Sequence, residues 1–68
     1  MAADYQKIYN SLLIGQKVTL LDGEKKFPGV MMDKYLKENN VMLDVRLDDG
    51  KIIESFGYFK GDKQNVEI

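Results

Sequence analysis

Val41, Leu43, Val45 and Leu47 alternate with Met42, Asp44, Arg46 and Asp48, so that every other residue from Val41 to Leu47 is aliphatic and three of the four that follow them are charged. Side chains of an extended chain point to opposite faces in turn, so this period of two predicts a half-buried β-strand. Asp49-Gly50 follows, then a second β-rich run, Lys51-Ile52-Ile53-Glu54-Ser55-Phe56. An Asp-Gly pair suits a two-residue type I′ turn, which needs positive φ at both central positions. The segment Val41 to Phe59 therefore predicts a hairpin.

Upstream the period changes. Tyr5, Ile8, Tyr9, Leu12 and Leu13 fall at i, i+3, i+4, i+7 and i+8, which lines one face of a helix over residues 4–13. Asp4 is placed to cap it, and Gly15 to stop it in a left-handed conformation. Lys17 to Leu21 reads as the first strand, with Val18 and Leu20 pointing the same way. Asp22 to Gly29 reads as a long loop, bounded by Asp-Gly and Pro28-Gly29. Val30 to Lys37 is the second strand, and Asn39-Asn40 turns the chain into the third, because Asn tolerates the left-handed region. Gly57 marks a bulge or bend near the end of the fourth strand. Gly61-Asp62-Lys63 is a last loop before a short terminal strand, Asn65 to Ile68.

Turns centred on Asn39-Asn40 and Asp49-Gly50 set a register. Leu43 faces Leu36 and Phe56, and Leu47 faces Met32 and Ile52, so both rows are apolar. Val45, however, falls between Lys34 and Glu54. Either a bulge shifts the parity there, or the two charged side chains reach over Val45 and pair. On the other face Arg46 falls beside Asp33 as a cross-strand ion pair. Val45 must be buried for this register to hold.

The chain has 68 residues, enough for one domain (1–68, helix 4–13 and sheet 15–68) with a small core. A chain of this size buries only roughly 60 % of the surface its unfolded form exposes, so a protein partner or self-association is expected to help complete it. It has no cysteine and no histidine, which excludes disulfides and argues against zinc and any other metal or cofactor. General acid–base and nucleophilic catalysis most often use His, or Ser, Thr or Cys beside a base, so an enzyme is not expected. Asp48-Asp49-Gly50 lacks the alternating acidic positions of a calcium loop, with Val45 where the first ligand would stand. Met1 to Asn10 lacks the basic start and apolar run of a signal peptide, and apolar runs stop at three or four residues; a cytoplasmic protein without membrane spans is the expectation. Ten basic against eleven acidic residues leave a net charge of −1. Dedicated nucleic-acid binders usually carry a basic surplus.

A helix followed by five short strands, with Gly15-Gln16-Lys17-Val18, Pro28-Gly29-Val30 and Val45-Arg46-Leu47-Asp48-Asp49-Gly50-Lys51 in place, resembles the small SH3-like barrels, and among them Tudor and KOW-type modules. The resemblance covers residues 15–68 and implies a five-stranded barrel or meander that binds peptides or nucleic acids through loops and exposed aromatics; Phe27, Tyr35, Tyr58 and Phe59 are those available.

Two candidate surfaces follow. Met31, Tyr35 and Met42, with Tyr58 and Phe59, would form a protein-binding patch, since methionine adapts to irregular partners. The expected function is a non-enzymatic protein-interaction module, such as a small bacterial or phage accessory or inhibitor protein, or a homodimer. The alternative is a nucleic-acid-binding barrel in which Lys25, Lys26, Lys60 and Lys63 touch phosphate while Phe27, or a ring of Tyr58-Phe59, stacks a base. A third reading is a structural subunit that closes a larger assembly through its terminal strand.

Overall fold

The computed structural model describes residues 4–68. One helix, α1 (Tyr5–Ser11), precedes seven strands: β1 (Lys17–Asp22), β2 (Lys25–Lys37), β3 (Asn40–Leu47), β4 (Ile52–Gly57), β5 (Phe59–Lys60), β6 (Lys63–Gln64) and β7 (Val66–Glu67). All pairings are antiparallel. The main sheet runs β4-β3-β2-β1-β7, so the last strand returns beside the first, and β5 and β6 form a separate ribbon. The protein is mainly β, a five-stranded meander with one short helix, as the patterning predicts. The expected barrel, however, is an open sheet ending in β4 and β7. One line of backbone hydrogen bonds spans the gap: Tyr58 N donates to Val41 O, Asn65 N to Tyr58 O and Leu21 N to Asn65 O, each at 2.8 Å.

The alternation in β3 translates directly into packing. Val41, Leu43 and Val45 are fully buried, joined by Leu12, Val18, Leu20, Met31, Leu47, Tyr58 and Val66. Val45 is thus buried as expected, but its cross-strand partners are Met31 and Ile53 rather than Lys34 and Glu54.

The stretch read as a long loop is part of the longest strand. Asp22 pairs with Lys25, and Gly23 at φ +62 takes the first central position of a two-residue turn, the place where a type II′ hairpin needs glycine. Phe27, Pro28 and Gly29 then continue β2 opposite Leu20, Thr19 and Val18. A proline is tolerated here because the β2–β3 ladder begins only at Gly29, opposite Leu47.

The other two turns also move. Lys37 pairs with Asn40, so Glu38-Asn39 is the turn, and neither residue has positive φ. Asn40 is a latch: its Nδ2 donates to Phe59 O at 2.9 Å and its Oδ1 accepts from Phe59 N at 3.1 Å. At the third turn Gly50 N donates to Leu47 O and Leu47 N to Lys51 O. Asp48-Asp49 are therefore the central residues, and Gly50 at φ +94 supplies the left-handed position of a three-residue loop. Asp49 Oδ1 accepts from Lys51 N at 2.9 Å, which gives the Asp49 carboxylate a part in the turn geometry.

Bulges compensate for the shifted turns, as one of the two sequence alternatives requires. Met31 pairs with Val45 and Asp33 with Asp44, leaving Met32 as the extra residue. On the other side Leu43 pairs with Phe56 as expected, but Val45 pairs with Ile53. The cross-strand pair of Arg46 and Asp33 does not form; Arg46 lies opposite Val30 and Ile52. Nor does Lys34 reach over Val45 to Glu54. It lies opposite Leu43, and its Nζ donates to Tyr9 O at 2.6 Å and Leu12 O at 2.7 Å, 4.2 Å from the centre of the Tyr9 ring.

Those bonds explain the helix. A helix of seven residues is too short to persist in water on propensity. Asp4 Oδ1 caps its start by accepting from Lys7 N at 3.0 Å, and Lys34 satisfies carbonyls at its end. Tyr5, Ile8 and Tyr9 pack on the core. The helix stops at Ser11, well short of Gly15, and Leu13 is 67 % exposed rather than part of the apolar stripe.

The β4 bulge places Ser55 at φ +56, where its amide donates to Asp44 Oδ1 at 3.0 Å. A non-glycine residue in the left-handed region costs roughly 1–2 kcal/mol. Because the Ser55 side chain is exposed and its amide survives substitution, Ser55→Gly is expected to raise stability by about 1 kcal/mol. A lower urea midpoint for that variant would show that the serine hydroxyl contributes more than the backbone strain costs.

Candidate docking site

The core side of the sheet is covered unevenly. Tyr5, Ile8 and Tyr9 of α1 close one part. An uncovered recess of about 270 Å³ lies between the tip of the β1–β2 hairpin and the β3–β4 turn. Leu20, Phe27, Leu47, Ile53 and Phe56 make its walls, while Asp22, Asp49 and Lys51 stand at its rim. A shallower groove continues from it past Pro28 and Asp48. The walls come from β1, β2, β3 and β4, and β1 and β4 are not neighbours in the sheet. Alternation predicts the inward direction of Leu20 and Leu47; only the bending of the sheet brings them opposite Ile53 and Phe56.

The sequence-derived protein-binding residues are dispersed. Met31 is fully buried opposite Val45, so no partner can touch it while the fold is intact. Tyr35 and Met42 are cross-strand neighbours on the opposite side of the sheet, with Tyr35 41 % exposed. Tyr35 OH donates to Asp44 Oδ2 at 2.8 Å. That bond, with the Asp33 carboxylate alongside, holds the Tyr35 hydroxyl well above the ordinary tyrosine pKa. Tyr58 is buried, which raises its hydroxyl pKa too. Phe59 stacks edge-on between Tyr58, at 5.1 Å, and Tyr5, at 5.7 Å. These two rings join the helix to the β5 ribbon and cannot form an open aromatic cage.

The expected phosphate contacts fall on two hairpins. Lys25, Lys26 and Phe27 open β2, and all three are exposed. Lys26 Nζ lies 3.5 Å from Glu67 Oε1, an exposed pair worth little to stability. Lys60 and Lys63 face each other directly across the β5–β6 ribbon, a like-charge juxtaposition that is unfavourable without a counter-ion. The terminal strand is committed within the molecule, since β7 pairs with β1 and Val66 is fully buried. Removing residues 65–68 would therefore damage the core before it tested any assembly. Among the described residues, no helix is long and apolar enough to cross a membrane.

Comparison with protein-family models, with curated proteins and with solved structures finds no match.

Proposed function

We propose that this chain is a non-enzymatic protein-interaction module built on an SH3-like small β-barrel plan. The return of the last strand beside the first supports that plan, with the Tyr58–Asn65 line of bonds and the adjoining β5–β6 ribbon bridging the open side. The observation that carries the function is the uncovered recess walled by Leu20, Phe27, Leu47, Ile53 and Phe56. An apolar hollow beside a polar rim is the usual footprint of a binding site. The absence of His and Cys from the sequence supports a role without acid–base or thiol chemistry. A cytoplasmic accessory or inhibitor protein of bacterial or phage type, or a self-associating one, fits this description.

The facing Lys60 and Lys63, with exposed Lys25-Lys26-Phe27, favour a second reading as a nucleic-acid binder, in which phosphate relieves the lysine repulsion. Affinity capture from bacterial lysate, with and without nuclease, separates the two. Protein partners that survive nuclease, and that the Lys25→Ala, Lys26→Ala double variant still recovers, are the expected result. Recovery abolished by either treatment would replace the protein module with the nucleic-acid reading.

A further inference from the structure

We infer that the recess between the β1–β2 hairpin and the β3–β4 turn receives one large apolar side chain of a basic polypeptide segment, with lysines or arginines of that segment over its rim. The inference rests on the protein-module reading and names the chemistry of the partner. Size argues first. About 270 Å³ lies near the lower end of the roughly 300–1,000 Å³ of ligand pockets and has room for a single large anchoring side chain. The wall chemistry matches such an anchor, since Leu20, Phe27, Leu47, Ile53 and Phe56 present aliphatic and aromatic surface.

Charge chooses the flanking residues. Asp22 and Asp49 stand on the recess, and Asp48 on the groove that continues from it. Lys51 is the cation among these lining residues, and Lys25 faces Asp22 across the hairpin. The lining carries three carboxylates against one ammonium, so a cationic segment gains and a polyphosphate is repelled. Asp49 already accepts from Lys51 N, which holds its carboxylate in place at the rim.

The test uses three synthetic peptides titrated into isotope-labelled protein and followed by amide and methyl chemical shifts: Arg-Lys-Leu-Phe-Lys-Arg, its charge-reversed form Glu-Asp-Leu-Phe-Asp-Glu, and Arg-Lys-Ser-Ser-Lys-Arg without the anchor. The first is expected to move Leu20, Leu47, Ile53 and Phe56 saturably, and to bind at least about tenfold more tightly than either control. Replacing the rim with Asp22→Asn, Asp48→Asn and Asp49→Asn leaves the apolar walls intact. It is expected to weaken the first peptide about tenfold while leaving thermal unfolding unchanged. Equal binding of the charge-reversed peptide, shifts confined to other surfaces, or no shifts would overturn the inference. So would recess shifts that depend on protein concentration alone, which would make a second copy the occupant. The two readings fail separately. Nuclease-resistant protein partners that bind the rim variant unchanged would leave the module standing and remove the recess as its site.

Discussion

Gly29→Ala is expected to be among the most damaging single substitutions in this chain. Gly29 is buried within β2, opposite Val18 on one side and Leu47 on the other. A Cβ built there would lie 2.5 Å from the backbone oxygen of Arg46 and 2.9 Å from Val45 Cγ1. The nearest obstacle is main chain, which cannot rotate aside as a side chain can. Gly29 is also where the thirteen-residue β2 is paired on both sides at once, with β1 and with β3. Overpacking typically costs about 1–3 kcal/mol and occasionally more, and an obstacle of main chain puts this site at the upper end, while a domain of this length has only roughly 3–10 kcal/mol in total. The expected result is a urea midpoint reduced by about a third or more. Adding Val45→Ala removes the second obstacle but not the first, so the double variant should be no more stable than Gly29→Ala. A double variant restored to wild-type stability would show that the side chain, not the main chain, sets the limit.

Lys34→Met should produce the second largest loss, and a differently distributed one. The Lys34 ammonium bonds two carbonyls at the end of α1 and lies against the Tyr9 ring. Methionine keeps most of the aliphatic stem but takes the ammonium donor from both carbonyls, leaving Tyr9 O only the long bond from Leu12 N at 3.3 Å. Hydrogen bonds from a charged group contribute about 1.5–3 kcal/mol, so a loss of about 2 kcal/mol is expected. Because α1 is too short to persist alone, amide exchange in Ile8 to Leu12 should accelerate more than exchange in β3. Lys37→Met, at an exposed position of the same strand, should change stability little and serves as the control. Uniform acceleration across helix and sheet would mean that Lys34 supports the sheet rather than the helix.

Lys34 also shows what could be read from the letters. Its place beside Val45 in an otherwise apolar row was the visible anomaly. The bulge at Met31–Asp33 resolves half of it by moving Val45 to Met31, and the helix end resolves the rest. A bulge leaves almost no trace in composition, because it depends on how the sheet must curve. The β3 alternation, by contrast, was fully legible, since a half-buried strand must alternate. The β1–β2 hairpin was hidden because Asp22-Gly23 and Pro28-Gly29 both carry turn chemistry, yet only the first pair turns the chain. Met31 and Tyr58 were read as surface because bulges and the bend after β4 decide which way they point. The recess is the least legible feature. Each wall residue fits a strand pattern, but the meeting of β1 with β4 is a property of curvature alone.

The bridge of hydrogen bonds from Val41 through Tyr58 and Asn65 to Leu21 has a kinetic consequence. Successive hairpins from β1 to β4 join residues near in sequence, but this seam ties Leu21 of β1 to Asn65, the residue before β7. Long-range closure must await the ordering of what lies between. The seam should therefore zip last during folding and part first in the native state. A protein that opens there frees the sheet ends at β4 and β7 while keeping its meander, in a fluctuation smaller than global unfolding.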